Sequence, residues 1–568
     1  YQDSLQITRD LGDRAGEAAT LNNIGVVYEA TGRYAKALRQ YQDSLQIARD
    51  LKDLAGEAGT LNNIGVVYKN TGRYAEALRQ YQDSLQITRD LGDRAGEAKT
   101  LGNIGTIYAE TGRYEEALRQ YQDSLKIDRA LGDRAKEAGA LNNIGVVYDE
   151  TGRYAEALQQ YQDSLTINRE LGDRAGEASA LSNIGTVYGD TGRYAEELQQ
   201  YQDSLTINRE LGDRAGEARA LNNIGTVYEA TGRYAEALQQ YQDSLKISRG
   251  LKDLAGEALA LGNIGRVYKA KKEWTEAVAS YQDAIQHFER LRANTGEPSL
   301  ETSLLAQHTG PFLSLAVCLL ELKQPGEAFA AGEQMKARGL VDILVRGKAD
   351  VRRGMSDGER KQEQALQDRM TALAVQRDDP KGKADGPRQT RLGEDLKRAR
   401  QDRDDFRLAL YLHRPDLQTR RAEFAPASLD DLGQSLFAGR PGLVVLSYLV
   451  GEKETLLFVL TAPEKNSDPA RLTVHRIDVG RKELAEAVQS FREACSDPQK
   501  GPDPDDLGRW YGWLIAPAAD ELAAAKQVVI VPDGVLHTLP FQALRDPDGK
   551  YLICLLYTSD AADDLTRV

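Results

Sequence analysis

The side chains able to run thiolate or imidazole chemistry near neutral pH are few: five histidines and three cysteines in 568 residues. Together they could form a nucleophile and its base, because a thiolate attacks when a proton acceptor lies within hydrogen-bond reach. The most suggestive placement is His537 in QVVIVPDGVLHTLPFQAL, where an apolar run meets a Pro-Asp-Gly turn and then the histidine. Cys318 lies in the apolar stretch LSLAVCLLEL and reads as a buried structural thiol. Cys495 closes a helical pattern in FREACSDP, and nothing in the sequence joins it to His537. His475 and Asp478 are close in sequence but neighbour no nucleophile. No P-loop, HExxH or GxGxxG string occurs, so no catalytic residue, cofactor or metal ligand is assigned. Cys318, Cys495 and Cys554 are far apart, with no disulfide framework and no CxxC pair, which fits a reducing, cytoplasmic compartment.

A second chemistry is carried by amides. Asn23, Asn63, Asn103, Asn143, Asn183, Asn223 and Asn263 recur at one spacing, with Asn22, Asn62, Asn142 and Asn222 beside four of them. An amide both donates and accepts. Such a ladder either holds the backbone of an extended peptide or bonds neighbouring turns and stiffens the stack. Positions equivalent to Ala19 read Ala, Gly, Lys, Gly, Ser, Arg and Leu; those equivalent to Glu29 read Glu, Lys, Ala, Asp, Gly, Glu and Lys. Most other positions barely change. Variation on one face suits side-chain readout of a ligand, which adds Lys99 and Arg219 to the candidate peptide contacts. Drift at exposed positions of recently duplicated units gives the same pattern.

What positions these residues is a repeat. YQDSL begins at 1, 41, 81, 121, 161, 201 and 241, and YQDAI at 281, a period of 40 residues. Leu21, Ile24, Gly25 and Tyr28 share one helical face; Tyr34, Ala37, Leu38, Tyr41 and Leu45 mark the inner stripe of a second helix. Gly32 suits the left-handed residue closing the first helix, Gly12 ends the second, and Asp13 can cap the next. Lys52 and Lys252 stand where other units have that terminal glycine, so a weaker stop is expected there. A helix pair of this kind cannot bury its own apolar face, so neighbours must stack.

Composition sets the outer bounds. The length suggests more than one domain. A net charge of −14 and the lack of a basic stripe argue against nucleic-acid binding, and no apolar run approaches a membrane span.

The repeat resembles the tetratricopeptide repeat, on Leu21, Ile24, Gly25, Tyr28, Ala37 and Tyr41. Usual members repeat every ~34 residues; the extra residues here fall in RDLGDRAGEA, as in the longer repeats of kinesin light chains and animal cell-polarity adaptors. The resemblance implies that the first helix of each pair lines a concave groove, which is where the asparagines stand. A weaker pair near 300–322 and 326–346 looks like a degenerate final repeat.

After about 347 the chain carries two charged helical patterns separated by PKGKADGPRQ, read as a hairpin with solvated faces. From Pro441 the period changes to two: GLVVLSYLVG, TLLFVLTA and RLTVHRIDV read as strands, two helical stretches follow near 481–496 and 505–525, and QVVIVPD suits a buried parallel strand. AGEQMKARGLVDILV, LVVLSYLVGEKETLLFVLT, LGRWYGWLIAPAADEL and QVVIVPDGVLHTLPFQALRD, in that order, resemble a CHAT domain, a caspase-like family that often follows tetratricopeptide arrays. The resemblance implies a His–Cys dyad in later HxATHG-like and LSACxT-like segments, which this sequence does not contain. It places His537 in a scaffold turn, packing or hydrogen bonding near the sheet end. CLLYTSDAADDLTRV looks like a translated sequencing adapter, the alternative being a divergent genuine tail.

The expected fold is therefore mainly α: a right-handed tetratricopeptide α-α superhelix, or solenoid, over 1–292 and a degenerate repeat over 293–346. A helical linker over 347–430, a partial α/β caspase-like domain over 431–553 and the adapter-like 554–568 complete the division. The expected function is capture of a peptide or protein in the groove, with no nucleic acid or membrane partner, by a fragment that cleaves nothing. The parent would be a bacterial-type sensor with a peptidase domain. The alternative is a non-catalytic scaffold whose CHAT region is a relic.

Overall fold

The structure, a computed structural model, describes residues 1–295, 310–346, 442–463, 470–496 and 504–539, with scattered positions between 355 and 440 and between 541 and 546. Cys554, the adapter-like tail, the side chain of Cys495 and most of the charged linker lie outside the described residues. The chain divides into two compact units, Tyr1–Glu273 with Gln282–Gln307, and Trp274–Tyr281 with His308–Val568.

In the first unit, first helices such as Arg14–Ala30 alternate with second helices such as Tyr34–Leu51. The Asp13 carboxylate accepts the Gly16 N–H at 2.9 Å, satisfying a donor that the first turn leaves over. Gly12 and Gly32 close their helices at φ +69, a conformation that costs glycine nothing. The weaker stop expected at Lys52 and Lys252 is not found. Both lysines adopt the same left-handed turn, at φ 56 and 58, and the helices end at Leu51 and Leu251. The turn is fixed from both sides, since the Asp53 N–H reaches the Ala48 carbonyl at 2.9 Å while its carboxylate caps the next helix at Gly56.

The two helices of a pair meet at a glycine and a tyrosine. A Cβ added to Gly25 would lie 2.5 Å from Tyr41 Cε1, so the close approach needs glycine. Tyr41 and Ala37 are fully buried. The serine of YQDSL adds a tie that hydrophobic periodicity did not flag: Ser44 donates to the Ala18 carbonyl at 2.8 Å, and the bond recurs at Ser84, Ser124, Ser164, Ser204 and Ser244. Neighbouring pairs share their cores, as where Ile127 packs with Leu101, Ile104 and Tyr81. Each buried aliphatic or aromatic side chain contributes about 1.5–3 kcal/mol. Arginines clamp the seams between pairs: Arg9 and Arg14 hold nearly buried Glu17 at 2.8 and 2.7 Å, and these bonds keep its carboxyl below the usual range.

The second unit holds helices Gly310–Glu321 and Pro325–Arg346 and a mixed sheet of β1 (Leu443–Val450), β2 (Thr455–Thr461), β3 (Arg471–Ile477) and β4 (Gln527–Val531), in the order β3-β2-β1-β4. β1 runs antiparallel to β2 and parallel to β4. The strand reading holds, but the alternation expected of the strands is found in β3 and not in β1 or β2. β1 is buried along its whole length because both faces are covered. On one face Val444, Leu446 and Tyr448 pack with Trp510, Leu514 and Leu536. On the other, Phe458 of β2 meets Phe329 edge-on, and Gly332 of Pro325–Arg346 lets Leu449 approach. β4, expected to be buried, is partly open, with Val529 40% exposed. The helical stretch expected over 505–525 is broken: Pro504–Leu514 gives way to a 3₁₀ turn at Ala516–Ala518 and a short helix, Ala519–Leu522, with Pro517 at the break. In the linker, Met370 packs with Ala399, and Arg369 pairs with Asp402 at 3.0 Å.

Candidate functional site

Among the described residues, those with possible nucleophilic chemistry do not assemble into a site. His537 sits in a 3₁₀ turn, Gly534–Thr538, with its side chain exposed and no hydrogen bond among the described residues. The scaffold role expected of it belongs to its neighbours. Leu536, Leu539, Phe541 and Leu544 are buried in the core below, and the Asp533 carboxylate accepts the Val450 N–H at 2.7 Å, tying the turn to the end of β1. Asp533 is the constraining residue of the segment, and its signal was the Pro-Asp-Gly string read only as a turn. Asp533→Ala leaves that N–H without its partner and should lower the stability of the sheet unit by about 1–3 kcal/mol. Denaturant melts followed by Trp510 fluorescence measure this; a variant as stable as the parent would show the anchor to be idle.

Cys318 is fully buried in Gly310–Glu321, as its apolar surroundings suggested. His475 pairs with Glu521 at 3.2 Å. Ser447, in the middle of β1, donates to Glu333 at 2.7 Å and accepts from Lys336, which also holds Glu333 at 2.9 Å. Ser447 is 1% exposed, so this triad pins the helix to the sheet. Among the described residues no three His, Cys, Asp or Glu side chains converge as metal ligands do, and no helix is long and apolar enough to cross a membrane.

The amide ladder is partly self-satisfied. Asn63 donates to Asn22 at 3.0 Å, Asn103 to Asn62 at 2.9 Å, Asn183 to Asn142 at 2.8 Å and Asn263 to Asn222 at 2.7 Å. Each bond joins one first helix to the next, as the stiffening alternative requires. The side chains of Asn23, Asn143 and Asn223 form no hydrogen bond among the described residues. The cause is local for two of them: the partner position of Asn143 holds Gly102 and that of Asn223 holds Ser182, whose hydroxyl is engaged with Ser204 at 2.9 Å. Lys99 and Arg219 are exposed on the same helices, Arg219 standing 4.0 Å from Asp213. All seven positions equivalent to Ala19 are exposed.

A further station on these helices escaped sequence reasoning. In two units a carboxylate at the Glu29 position meets the core tyrosine: Glu29 accepts from Tyr41 at 2.9 Å and Glu229 from Tyr241 at 2.9 Å. Asp149 occupies this position with its Oδ1 buried and without a partner; burial and the charge of Asp190 push its carboxyl up to about 6. In the next unit the position holds Gly189, and Glu197 of the second helix fills the gap, its Oε1 lying 2.6 Å from where a Gly189 Cβ would be. Glu197 replaces the alanine of other units and is 7% exposed. Burial, then Asp190, pushes its carboxyl up to about 7.

Comparison with known proteins bears on the families of the two regions. The tetratricopeptide repeat family profile matches residues 1–50, 56–130, 136–210, 176–250 and 216–290. The CHAT domain profile matches residues 505–566. That match starts after the boundary expected at 431 and runs into the adapter-like tail. No curated protein sequence matches the chain. Similar solved structures include BtubC from P. vanneervenii, with 20% identity over 39% of this chain and 92% of that one at a TM-score of 0.36. Aspartyl phosphate phosphatase F from Bacillus subtilis is 12% identical over 50% of this chain and 73% of that one at a TM-score of 0.42. A tetratricopeptide repeat protein from Parabacteroides merdae is 18% identical over 48% and 93%, with a TM-score of 0.34.

Proposed function

The chain belongs to the tetratricopeptide repeat family and carries a C-terminal CHAT match, and from that premise we propose that it captures a protein partner as an extended segment along the exposed face of the first helices. The observation that carries this reading is the contrast within each helix: the position equivalent to Ala19 is exposed in every unit and differs from unit to unit, while Leu21, Ile24 and Gly25 and their equivalents stay buried and almost unchanged. Asn143 and Asn223 then offer free amides to the ligand backbone, and Lys99 and Arg219 read acidic side chains. The paired asparagines serve as rails that hold the face rigid. Selection of random peptides on the whole chain tests this. Peptides selected on the parent should lose affinity at least tenfold on Lys99→Glu or Arg219→Glu; peptides bound equally by all three chains would contradict it.

The CHAT region of this chain is proposed to act without hydrolysis, as part of the binding scaffold. Exposed His537 has no thiol beside it among the described residues, and Cys318 is sealed in a helix. Denatured casein incubated with the chain should yield no new fragments. Cleavage abolished by His537→Ala, Cys495→Ala or Cys554→Ala would overturn this and restore the peptidase reading.

A further inference from the structure

The acidic station described above points to one feature of the partner. At Glu229 the chain satisfies the station itself. Arg266, on the next first helix, donates from Nε to Glu229 Oε1 at 2.6 Å and from Nη2 to Oε2 at 2.8 Å, with the Tyr241 hydroxyl 3.4 Å from Nη2. A guanidinium thus lies in a fork of carboxylate and phenol, the planar two-point geometry that arginine matches best.

The two units just before it keep a carboxylate near the core tyrosine, Asp149 by Tyr161 and Glu197 by Tyr201, and lack the cation. The residue equivalent to Arg266 is Thr186 opposite Asp149, and Thr226 opposite Glu197. Asp149 and Glu197, with Asp190 near both, have no salt bridge or hydrogen-bond partner among the described residues, and one Asp149 oxygen is fully buried. Glu197 is more than nine-tenths buried and is aimed at the vacant Gly189 position, where the other units place the side chain of the station. Tyr161 and Tyr201 line the two stations, and the Tyr201 hydroxyl is held by Thr186 at 3.1 Å. Charges buried without partners are costly and persist poorly unless something supplies the counter-charge. These acids do not converge as metal ligands do, so an elongated cation with several donors fits better than a bare ion.

We infer that Asp149, Asp190 and Glu197 form a receptor for an arginine or lysine side chain of the protein partner, which enters beside Thr186 and occupies the place that Arg266 fills at Glu229. This rests on the reading of the first-helix face as the binding surface and adds the charge of the residue it selects. It also gives the face polarity: Lys99 lies on one side of the receptor and Arg219 on the other, so the selected segment should carry a basic residue flanked by acidic ones.

The test uses the whole chain and a probe small enough to be independent of the groove. N-acetyl-arginine amide should show saturable binding by saturation-transfer NMR, and the neutral isostere N-acetyl-citrulline amide should show none. Glu197→Ala, which restores the residue of other units, should weaken the probe at least tenfold. Thr186→Arg, which supplies the cation from within as Arg266 does, should abolish binding while leaving the helices folded. Equal binding of arginine and citrulline amides, or full binding by Glu197→Ala, would overturn the receptor while leaving the groove reading to its own peptide selection. Probe binding as predicted, with selected peptides devoid of basic residues and indifferent to Glu197→Ala, would overturn the assignment to a protein partner.

Discussion

At pH 8 the Glu197→Gln variant is expected to be more stable than the parent chain by about 3 kcal/mol, and at pH 4.5 the two should be nearly equal. The sign follows from the direction of the shift. Glu197 has its folded-state pKa raised from 4.5 to about 7 by burial. Below 4.5 the side chain is protonated in both the folded and unfolded states, so it carries no charge penalty. Between 4.5 and about 7 the unfolded chain gives up the proton and the folded chain keeps it, so stability falls as pH rises through that window. Above about 7 the penalty is complete. Glutamine keeps the shape over Gly189 and cannot ionise, so the variant should lack this part of the slope. Asp149, raised from 3.8 to about 6, adds a slope over a lower window in both chains, so the comparison isolates Glu197. Repeat arrays do not always unfold as one unit. The measurement is therefore hydrogen exchange of amides in helix Tyr194–Leu211, compared at the two pH values. Equal protection of parent and variant at pH 8 would show that the Glu197 carboxylate is not buried as described.

Gly145→Ala should destabilise the array by about 1–3 kcal/mol, although alanine is the better helix former. The added methyl would lie 2.6 Å from Tyr161 Cε1, and that ring is fully buried and cannot swing aside. Gly139→Ala, six residues earlier on the same helix, is the control. Nothing lies within 4 Å of its Cβ, so the change should be neutral or stabilising by up to about 1 kcal/mol. Urea midpoints of the two variants measure the contrast. Two variants of equal stability would mean that the Gly–Tyr contact does not set the helix spacing.

Much of the array was legible because its determinants are local. Asp13 as a cap and Gly32 at positive φ need only their neighbours in sequence. The left-handed Lys52 was not legible, since the turn there is imposed by the bonds of Asp53 on either side. The amide ladder was visible as a list, but its division into bonded pairs and free amides depends on whether the preceding unit offers Asn, or instead Gly or Ser, at the partner position. Gly189 and Glu197 were both printed in the sequence. Their compensation was missed because the units were compared position by position, while the two residues share one space across two helices. In the second unit the strands were found and their burial misjudged, because alternation reports one covered face and β1 has two. His537 drew attention by its chemistry, yet Asp533 does the anchoring, through a backbone N–H that no sequence pattern displays.

The most direct test of the account is to map where a selected peptide touches the chain. Benzoylphenylalanine placed at Gly139, exposed on a first helix, should crosslink peptides selected on the parent protein, and the same group at Gln162, exposed on a second helix, should not. Crosslinking from Gln162 and none from Gly139 would place the partner on the opposite face and contradict the assignment of the first helices as the binding surface.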